Sequence, residues 1–114
     1  MKVHYLEIVT SEVEAVCANY SQLHGVEFGD HDQNLGGART TKLASGGTLG
    51  VRAPMHDAEQ PVVRHYIRVE HIKSTVDAAA ESGAVVALPP MELPGHGTCA
   101  IVIQGGIEFG FWQL

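Results

Sequence analysis

The sequence predicts an α+β fold in which two tandem βαβββ modules form a curved mixed sheet around a cleft, with the helices on the convex face. The main observation is a repeat: residues 1–54 and 61–114 each read as a strand, an amphipathic helix and three further strands. Val13 and Ile72, which open the two helices, lie 59 residues apart, and Gly50 and Gly110 in the last strands lie 60 apart. Because one such module buries its apolar face poorly alone, we expect both to form a single domain over residues 1–114.

The helices follow from apolar residues at helical spacing. Ser11 and Glu14 have the spacing of a capping box, Gly25 ends the first helix, and Gly83 ends the second. The apolar faces consist of Val13, Val16, Cys17, Tyr20 and Leu23 in the first helix, and of Ile72, Val76, Ala79 and Ala80 in the second.

The strands have one apolar face and one polar face, because side chains alternate along a strand. The helices should cover the apolar face. Three of the four arginines and the only tryptophan lie on the other face. A face that is merely solvated needs no tryptophan, so we interpret it as a ligand-binding surface rather than a solvated one. This polar face comprises Tyr5, Glu7, Arg52, Arg64, Tyr66, Arg68, Glu108 and Trp112.

Composition excludes several classes of function. A net charge of -6 argues against nucleic acid as a partner. The apolar stretches are too short to span a bilayer, and Met1 and Lys2 lead directly into a strand without a signal peptide. Cys17 and Cys99 fall within helix and strand patterns, which is typical of buried free thiols in a reducing cytoplasm. The polar segment 55–61 reads as the connector between the modules.

Several local sequences resemble one known superfamily. They are Glu7-Ile8 before a turn and helix, Asn19-Tyr20 ahead of Gly25, the proline-rich segment 89–95, and the ending Gly110-Phe111-Trp112-Gln113. The whole chain resembles the vicinal oxygen chelate superfamily, which includes glyoxalase I, bleomycin-resistance proteins and extradiol dioxygenases, and above all its uncharacterised glyoxalase-like branch. The resemblance implies a small-molecule ligand and a homodimer.

Metal enzymes of that superfamily place one ligand on the first and last strand of each half. Those positions hold Tyr5, Gly50, Arg64 and Gly110 here. Glycine offers no donor atom and arginine repels a cation, so we predict neither a metal nor another cofactor.

Two alternative metal sites stay open. One uses His4 and His65, which we expect to face the helices instead. The other joins Glu7, Glu108 and His96, although the two carboxylates are explained more simply as ion-pair partners of the arginines.

The predicted function is binding of a small anionic or oxygenated organic ligand without a catalytic metal. Arg64 and Arg68 would bind ligand oxygens, so their replacement should change stability little. The other ligand-site candidates are Tyr66 and Trp112 as an apolar wall, Glu108 as an ion-pair partner, and Arg52 with its role undecided.

Whether the protein is an enzyme stays open at this stage. Glu7 or Tyr5 is the candidate for proton transfer in any chemistry, and residues 89–97 would close the site. One alternative is a metal-dependent lyase, isomerase or dioxygenase of the glyoxalase type. The other is a drug- or toxin-sequestering protein of the bleomycin-resistance type.

Overall fold

The computed structural model describes all residues 1–114 and has the predicted α+β class. It contains helices α1 (Val13–His24) and α2 (Ile72–Glu81) and strands β1 (Val3–Val9), β2 (Arg39–Lys42), β3 (Thr48–Arg52), β4 (Val62–Arg68), β5 (Val85–Leu93), β6 (Gly97–Gln104) and β7 (Ile107–Gln113). Neither helix is long and apolar enough to cross a membrane.

The chain divides into two compact units. The first unit is Tyr5–Val63, and the second unit combines Met1–His4 with Arg64–Leu114. The first four residues of the chain therefore belong to the unit formed by its second half. Within the second unit, the backbone N–H of Arg68 donates to the carbonyl of Lys2 at 2.9 Å.

The first unit has the strand order β2-β3-β1, with β3 antiparallel to β2 and parallel to β1. Its core lies between α1 and one face of these strands. It consists of Ile8, Val13, Cys17, Leu49 and Val51, with Leu6, Val16, Tyr20, Phe28 and Leu43 packed around them. The predicted apolar face and its helical cover are confirmed here.

The second unit has the strand order β4-β7-β6-β5, in which β4 and β7 are parallel and the other pairs are antiparallel. Helix α2 packs Ile72 and Val76 onto Ala100, with Val69, Val86 and Phe111 around them. Cys17 of the first unit and Cys99 of the second are buried and form no disulfide, as predicted.

The first module has one strand fewer than predicted. Between α1 and β2 the chain forms a short 3-10 turn, Gln33–Leu35, and a single bridge between Asp32 and Ala38. The Asp32 side chain accepts from the N–H of Asn34 at 2.9 Å. This polar segment satisfies its backbone groups by local turns, so no further strand forms.

The predicted cap of α1 is wrong, whereas its end is confirmed. The residue before the helix is Glu12, which has no side-chain cap, and its N–H donates to the Thr10 hydroxyl at 3.0 Å. Thr10 therefore organises the turn that was assigned to Ser11. The helix ends at Gly25, which adopts the left-handed conformation with φ of 65°.

The predicted loop over residues 89–97 is also wrong in part, because β5 continues to Leu93. Strand β5 is at the edge of the sheet, and its pairing with β6 shifts between Val86 and Leu88 and between Leu88 and Met91. Edge strands with bulges tolerate prolines, which lack the N–H that a central strand needs. A short turn, residues 94–96, remains between β5 and β6.

Candidate ligand-binding site

In the first unit, the polar face contains a buried ion pair. The Nε of Arg52 in β3 donates to Glu7 Oε2 in β1 at 2.8 Å. Arg52 and Glu7 are only 5% and 7% exposed. The two strands are parallel neighbours, which brings together residues that lie 45 positions apart in sequence.

A second carboxylate reaches Arg52 from the connector. Arg52 Nη1 donates to Glu59 Oε1 at 2.8 Å and Nη2 donates to Oε2 at 2.7 Å, which is a bidentate arrangement. Glu59 Oε1 also accepts from the backbone N–H of Met55 at 2.8 Å. Hydrogen bonding to Glu59 and the nearby charge of Glu7 raise the pKa of Arg52, so it stays charged.

Sequence reasoning missed Glu59. The connector was correctly identified as lying outside the strands and helices, but it carries two acidic residues, Asp57 and Glu59. Nothing in the local pattern distinguishes the one that folds back onto the sheet.

The Tyr5 side chain fills the space above Gly50. A Cβ atom added at Gly50 would lie 1.7 Å from the Tyr5 hydroxyl oxygen, so any other residue would displace the ring. Burial, followed by the charge of Glu7, raises the pKa of the Tyr5 phenol above its ordinary range. Tyr5 is therefore protonated at neutral pH and is a weaker acid than an ordinary tyrosine.

In the second unit, the polar face contains another ion pair. Arg64 Nε donates to Glu108 Oε1 at 2.8 Å, Nη2 donates to the same oxygen, and Nη1 donates to the Tyr66 hydroxyl at 3.4 Å. Arg64 is 5% exposed, whereas the Glu108 side chain is 36% exposed. Arg64 is thus buried and paired with Glu108.

The aromatic residues of the second unit are also buried. The Tyr66 and Trp112 rings meet edge to face at 5.5 Å, and Trp112 Nε1 donates to the carbonyl of His96 at 2.8 Å. A Cβ atom at Gly110 would lie 2.2 Å from the Tyr66 ring. These aromatics therefore form a packed base beneath the polar face, with the turn between β5 and β6 attached to it.

Arg68 is the polar-face arginine that stands apart. It is exposed, and it lies in register with Trp112 across the β4–β7 pair. Arg39 is bonded to Glu14, and Arg52 and Arg64 have the partners described above. The Arg68 side chain makes no ion pair within the chain, so its guanidinium is available to a ligand.

The residues at the inherited metal positions do not fit a divalent ion. Tyrosine rings fill the space above both glycines, and the Arg64 guanidinium brings positive charge. No group of three or more His, Cys, Asp or Glu side chains in the chain is close enough to hold a metal ion. The alternative set of Glu7, Glu108 and His96 is therefore not assembled.

The two strand histidines lie in different surroundings. His65 is exposed and stacks on Phe109 with the ring centroids 5.6 Å apart, so it is not packed beneath a helix. The His4 ring lies 5.3 Å from Trp112, so it adjoins the polar-face aromatics instead of packing beneath a helix. Neither belongs to a set of metal-ligating side chains.

Comparison with known proteins identifies the fold. No family model and no curated protein matches the sequence. A hypothetical protein, BH1468 from Bacillus halodurans C-125, matches with a TM-score of 0.79 at 13% identity, over 99% of this chain and 94% of that one. Methylmalonyl-CoA epimerase from Mycobacterium tuberculosis matches with a TM-score of 0.71 at 12% identity, over 97% of this chain and 86% of that one.

A variant of the Streptomyces coelicolor methylmalonyl-CoA epimerase, in complex with 2-nitronate-propionyl-CoA, matches with a TM-score of 0.72 at 10% identity, over 99% and 94% of the two chains. These proteins have the vicinal oxygen chelate, or glyoxalase-like, fold. The chain shares that fold, which confirms the resemblance at the level of structure. Identities this low carry no conclusion about chemistry.

Proposed function

We propose that the protein binds a small anionic or oxygenated organic molecule on the polar face of its second unit, at Arg68, without a catalytic metal. The observation that carries the proposal is the unpaired guanidinium of Arg68 on a face whose other arginines are bonded to carboxylates. A guanidinium presents several N–H donors in a fixed plane, which suits carboxylate and phosphate oxygens.

The surroundings of Arg68 favour an anion. Arg64 and Glu108 neutralise each other, so Arg68 adds an uncompensated positive charge to this face. The chain as a whole carries a net charge of -6, which repels anions, so attraction of an anionic ligand depends on the local positive charge of Arg68. Buried Tyr66 and Trp112 form a rigid base for this site. Arg64 is held in its ion pair with Glu108.

The similarly folded epimerase in complex with 2-nitronate-propionyl-CoA holds a ligand of this general class, an anionic acyl compound. That observation supports small organic anions as the first compounds to test. Candidate ligands are therefore carboxylates and phosphates that carry a short organic body.

Turnover distinguishes the enzyme alternative from a sequestering protein. Tyr5 is one candidate for proton transfer in an enzyme, although its raised pKa makes the phenol a weaker acid than an ordinary tyrosine. The candidate base, Glu7, is held by Arg52. Mass spectrometry of small molecules retained by the purified protein would identify a ligand, and chromatography after incubation would show whether it is altered. Return of the unaltered ligand supports the sequestering role.

Metal content separates the proposal from a metal-dependent lyase, isomerase or dioxygenase. The inherited positions lack donor atoms, so elemental analysis of tag-free protein should find far less than one Zn, Ni, Mn or Fe per chain. A full equivalent that survives dialysis would contradict the proposal.

Titration of Trp112 fluorescence tests the site directly. Trp112 is the only tryptophan and lies opposite Arg68, so neutralising that charge should change its emission. Replacing Arg68 by Ala should weaken binding of an anion by about 2 kcal/mol, roughly thirtyfold. Lys73→Ala removes an exposed positive charge from α2 and should leave the affinity unchanged. Equal binding by all three proteins would show that Arg68 is a solvated surface charge.

We also propose that the protein is a cytoplasmic homodimer. The two buried cysteines, which form no disulfide, support a reducing compartment. Symmetric association is common among small proteins of related fold. Light scattering at micromolar concentration tests the dimer, and a mass near 12.2 kDa would contradict it.

A further inference from the structure

Arg52 in the first unit binds two carboxylates of different kinds. Glu7 belongs to β1, whereas Glu59 belongs to the connector. We propose that Arg52 forms a second, latent binding site for small carboxylates and that Glu59 is its built-in occupant, which an external carboxylate displaces. This site goes beyond the one at Arg68 and does not depend on it.

The Arg52 guanidinium is oriented independently of Glu59. Its Nε donates to Glu7, and Nη1 also donates to the carbonyl of Ala53 at 3.2 Å. These contacts fix the plane of the guanidinium from the strand side. Nη1 and Nη2 then face Glu59 with the geometry that any carboxylate would adopt. When Glu59 leaves, a preorganised pair of donors remains.

The connector is attached to the first unit mainly through side chains. Residues 53–61 contain no helix or strand, and the backbone hydrogen bond from Glu59 N to His56 O is local. The Met55 side chain lies over Gly36, where an added Cβ would meet its Cε at 2.4 Å, yet Met55 is 64% exposed. Release of the Glu59 carboxylate therefore removes its hydrogen bonds to Arg52 and to the Met55 N–H.

The competition explains why the site is latent. Glu59 is tethered seven residues from Arg52, so its effective concentration is high and an external carboxylate binds weakly to the wild-type protein. Loss of the Glu59 charge should reveal the underlying affinity. The ligand class is a small monocarboxylate, because Glu59 presents one carboxylate on a short aliphatic stem.

The first experiment uses wild-type protein with acetate and propanoate as probes. The N–H of Met55 is bonded to Glu59 Oε1, so displacement of Glu59 should make this amide exchange faster with solvent as either carboxylate is added. Propanamide, which has the same size without the charge, should have no effect. A Met55 amide that is unaffected by saturating propanoate would overturn the proposal.

The second experiment uses Glu59→Gln, which retains an oxygen for Met55 but loses the charge. Propanoate should bind this variant about tenfold or more tightly than wild type and raise its melting temperature. Glu14→Gln is the matched control, because it alters the carboxylate of another Arg–Glu pair, with Arg39. An equal effect of propanoate on both variants would contradict the proposal.

The proposed sites at Arg52 and Arg68 are tested by different measurements, so either one can fail without the other. Binding at Arg68 is measured by Trp112 emission, and displacement at Arg52 is measured by Met55 exchange. If Glu59→Gln does not fold, the wild-type exchange experiment decides alone.

Discussion

The two units share a tyrosine–glycine contact but differ in how their charged residues are paired. In each unit a tyrosine ring covers the glycine of the last strand, Tyr5 over Gly50 and Tyr66 over Gly110. The register differs, since Tyr66 is directly opposite Gly110 whereas Glu7 is directly opposite Gly50. The same space is therefore filled from different strand positions, which leaves different positions for the charged residues.

The charged residues pair accordingly. In the first unit Arg52 lies between Glu7 and Glu59, so this cluster of three residues has one excess negative charge. In the second unit Arg64 pairs with Glu108 and Arg68 has no ion-pair partner, so these three residues have one excess positive charge. Arg52 is thus fully paired within the first unit, whereas Arg68 has no ion-pair partner in the second unit, as the proposed ligand site requires.

Replacing the buried arginines, Arg52 and Arg64, should give the largest difference in stability between changes in the two units. Arg52→Met leaves Glu7 buried without its counter-ion, and the free energy of unfolding should fall by about 3–5 kcal/mol. Arg64→Met should cost less, about 1–3 kcal/mol, because Glu108 is partly exposed and can be hydrated. Urea denaturation measures both.

A double variant serves as the control. Adding Glu7→Gln to Arg52→Met should recover part of the loss, because it removes the uncompensated carboxylate. Equal losses for the two single variants would mean that the units are electrostatically alike. A large loss for Arg64→Met would also correct the expectation from its strand position that replacement is harmless.

Replacing Gly50 and Gly110 by alanine should show that the two tyrosine–glycine contacts tolerate an added methyl group to different extents. A Cβ at Gly110 would meet the Tyr66 ring and also the backbone carbonyl of Ala100 at 2.9 Å, and backbone cannot swing away. A Cβ at Gly50 would meet the far end of Tyr5. We expect Gly110→Ala to destabilise by about 2–3 kcal/mol and Gly50→Ala by less.

The partner residue provides the control for this test. Tyr5→Phe removes the atom closest to the new Cβ at Gly50, so it should relieve part of the Gly50→Ala loss in a double-mutant cycle. Tyr66→Phe should not relieve Gly110→Ala, because the clash there involves ring carbons. Thermal unfolding of the four single and two double variants measures the coupling energy of each pair. Equal coupling for the Tyr5–Gly50 and Tyr66–Gly110 pairs would contradict the expected difference.

The raised pKa of Tyr5 gives the first unit a pH dependence. The folded protein retains the phenol proton at a pH where the unfolded chain, with a pKa of about 10, loses it. This contribution is complete below pH of about 10 and is lost as the pH rises further, by at most about 1.4 kcal/mol per pH unit. Tyr5→Phe should flatten stability above pH of about 10. An unchanged slope in this variant would contradict the effect of burial at Tyr5.

The sequence predicted the fold because the fold depends on repeated local patterns. Alternation along the strands and the 59-residue offset between helices set the class, the order of elements and the residues of each face. The errors fall where local chemistry competes with those patterns. The Asp32 side chain accepts a hydrogen bond from the Asn34 N–H in a turn, where a strand was predicted. The bulged edge strand β5 accommodates prolines that were interpreted as a loop.

The partners on the polar face could not be predicted in the same way. Alternation places Arg52, Arg64 and Arg68 on one face but does not say which carboxylate each one meets. Those pairs join residues 44 or 45 positions apart or, for Glu59, an irregular connector. Pairing therefore depends on strand register and connector path, which become known only when the chain is folded.

Arg68 gives the smallest expected effect on stability and the clearest separation of binding from folding. Its side chain is exposed and unpaired, so Arg68→Ala should change the free energy of unfolding by no more than about 0.5 kcal/mol. Arg68→Lys keeps the charge but not the planar fork of donors, so its affinity for a carboxylate should lie between those of wild type and Arg68→Ala. Titrations at low and high salt should show the difference shrinking as screening increases. If Arg68→Ala destabilises as much as Arg64→Met, Arg68 is a structural residue, and the second unit keeps no unpaired arginine for a ligand.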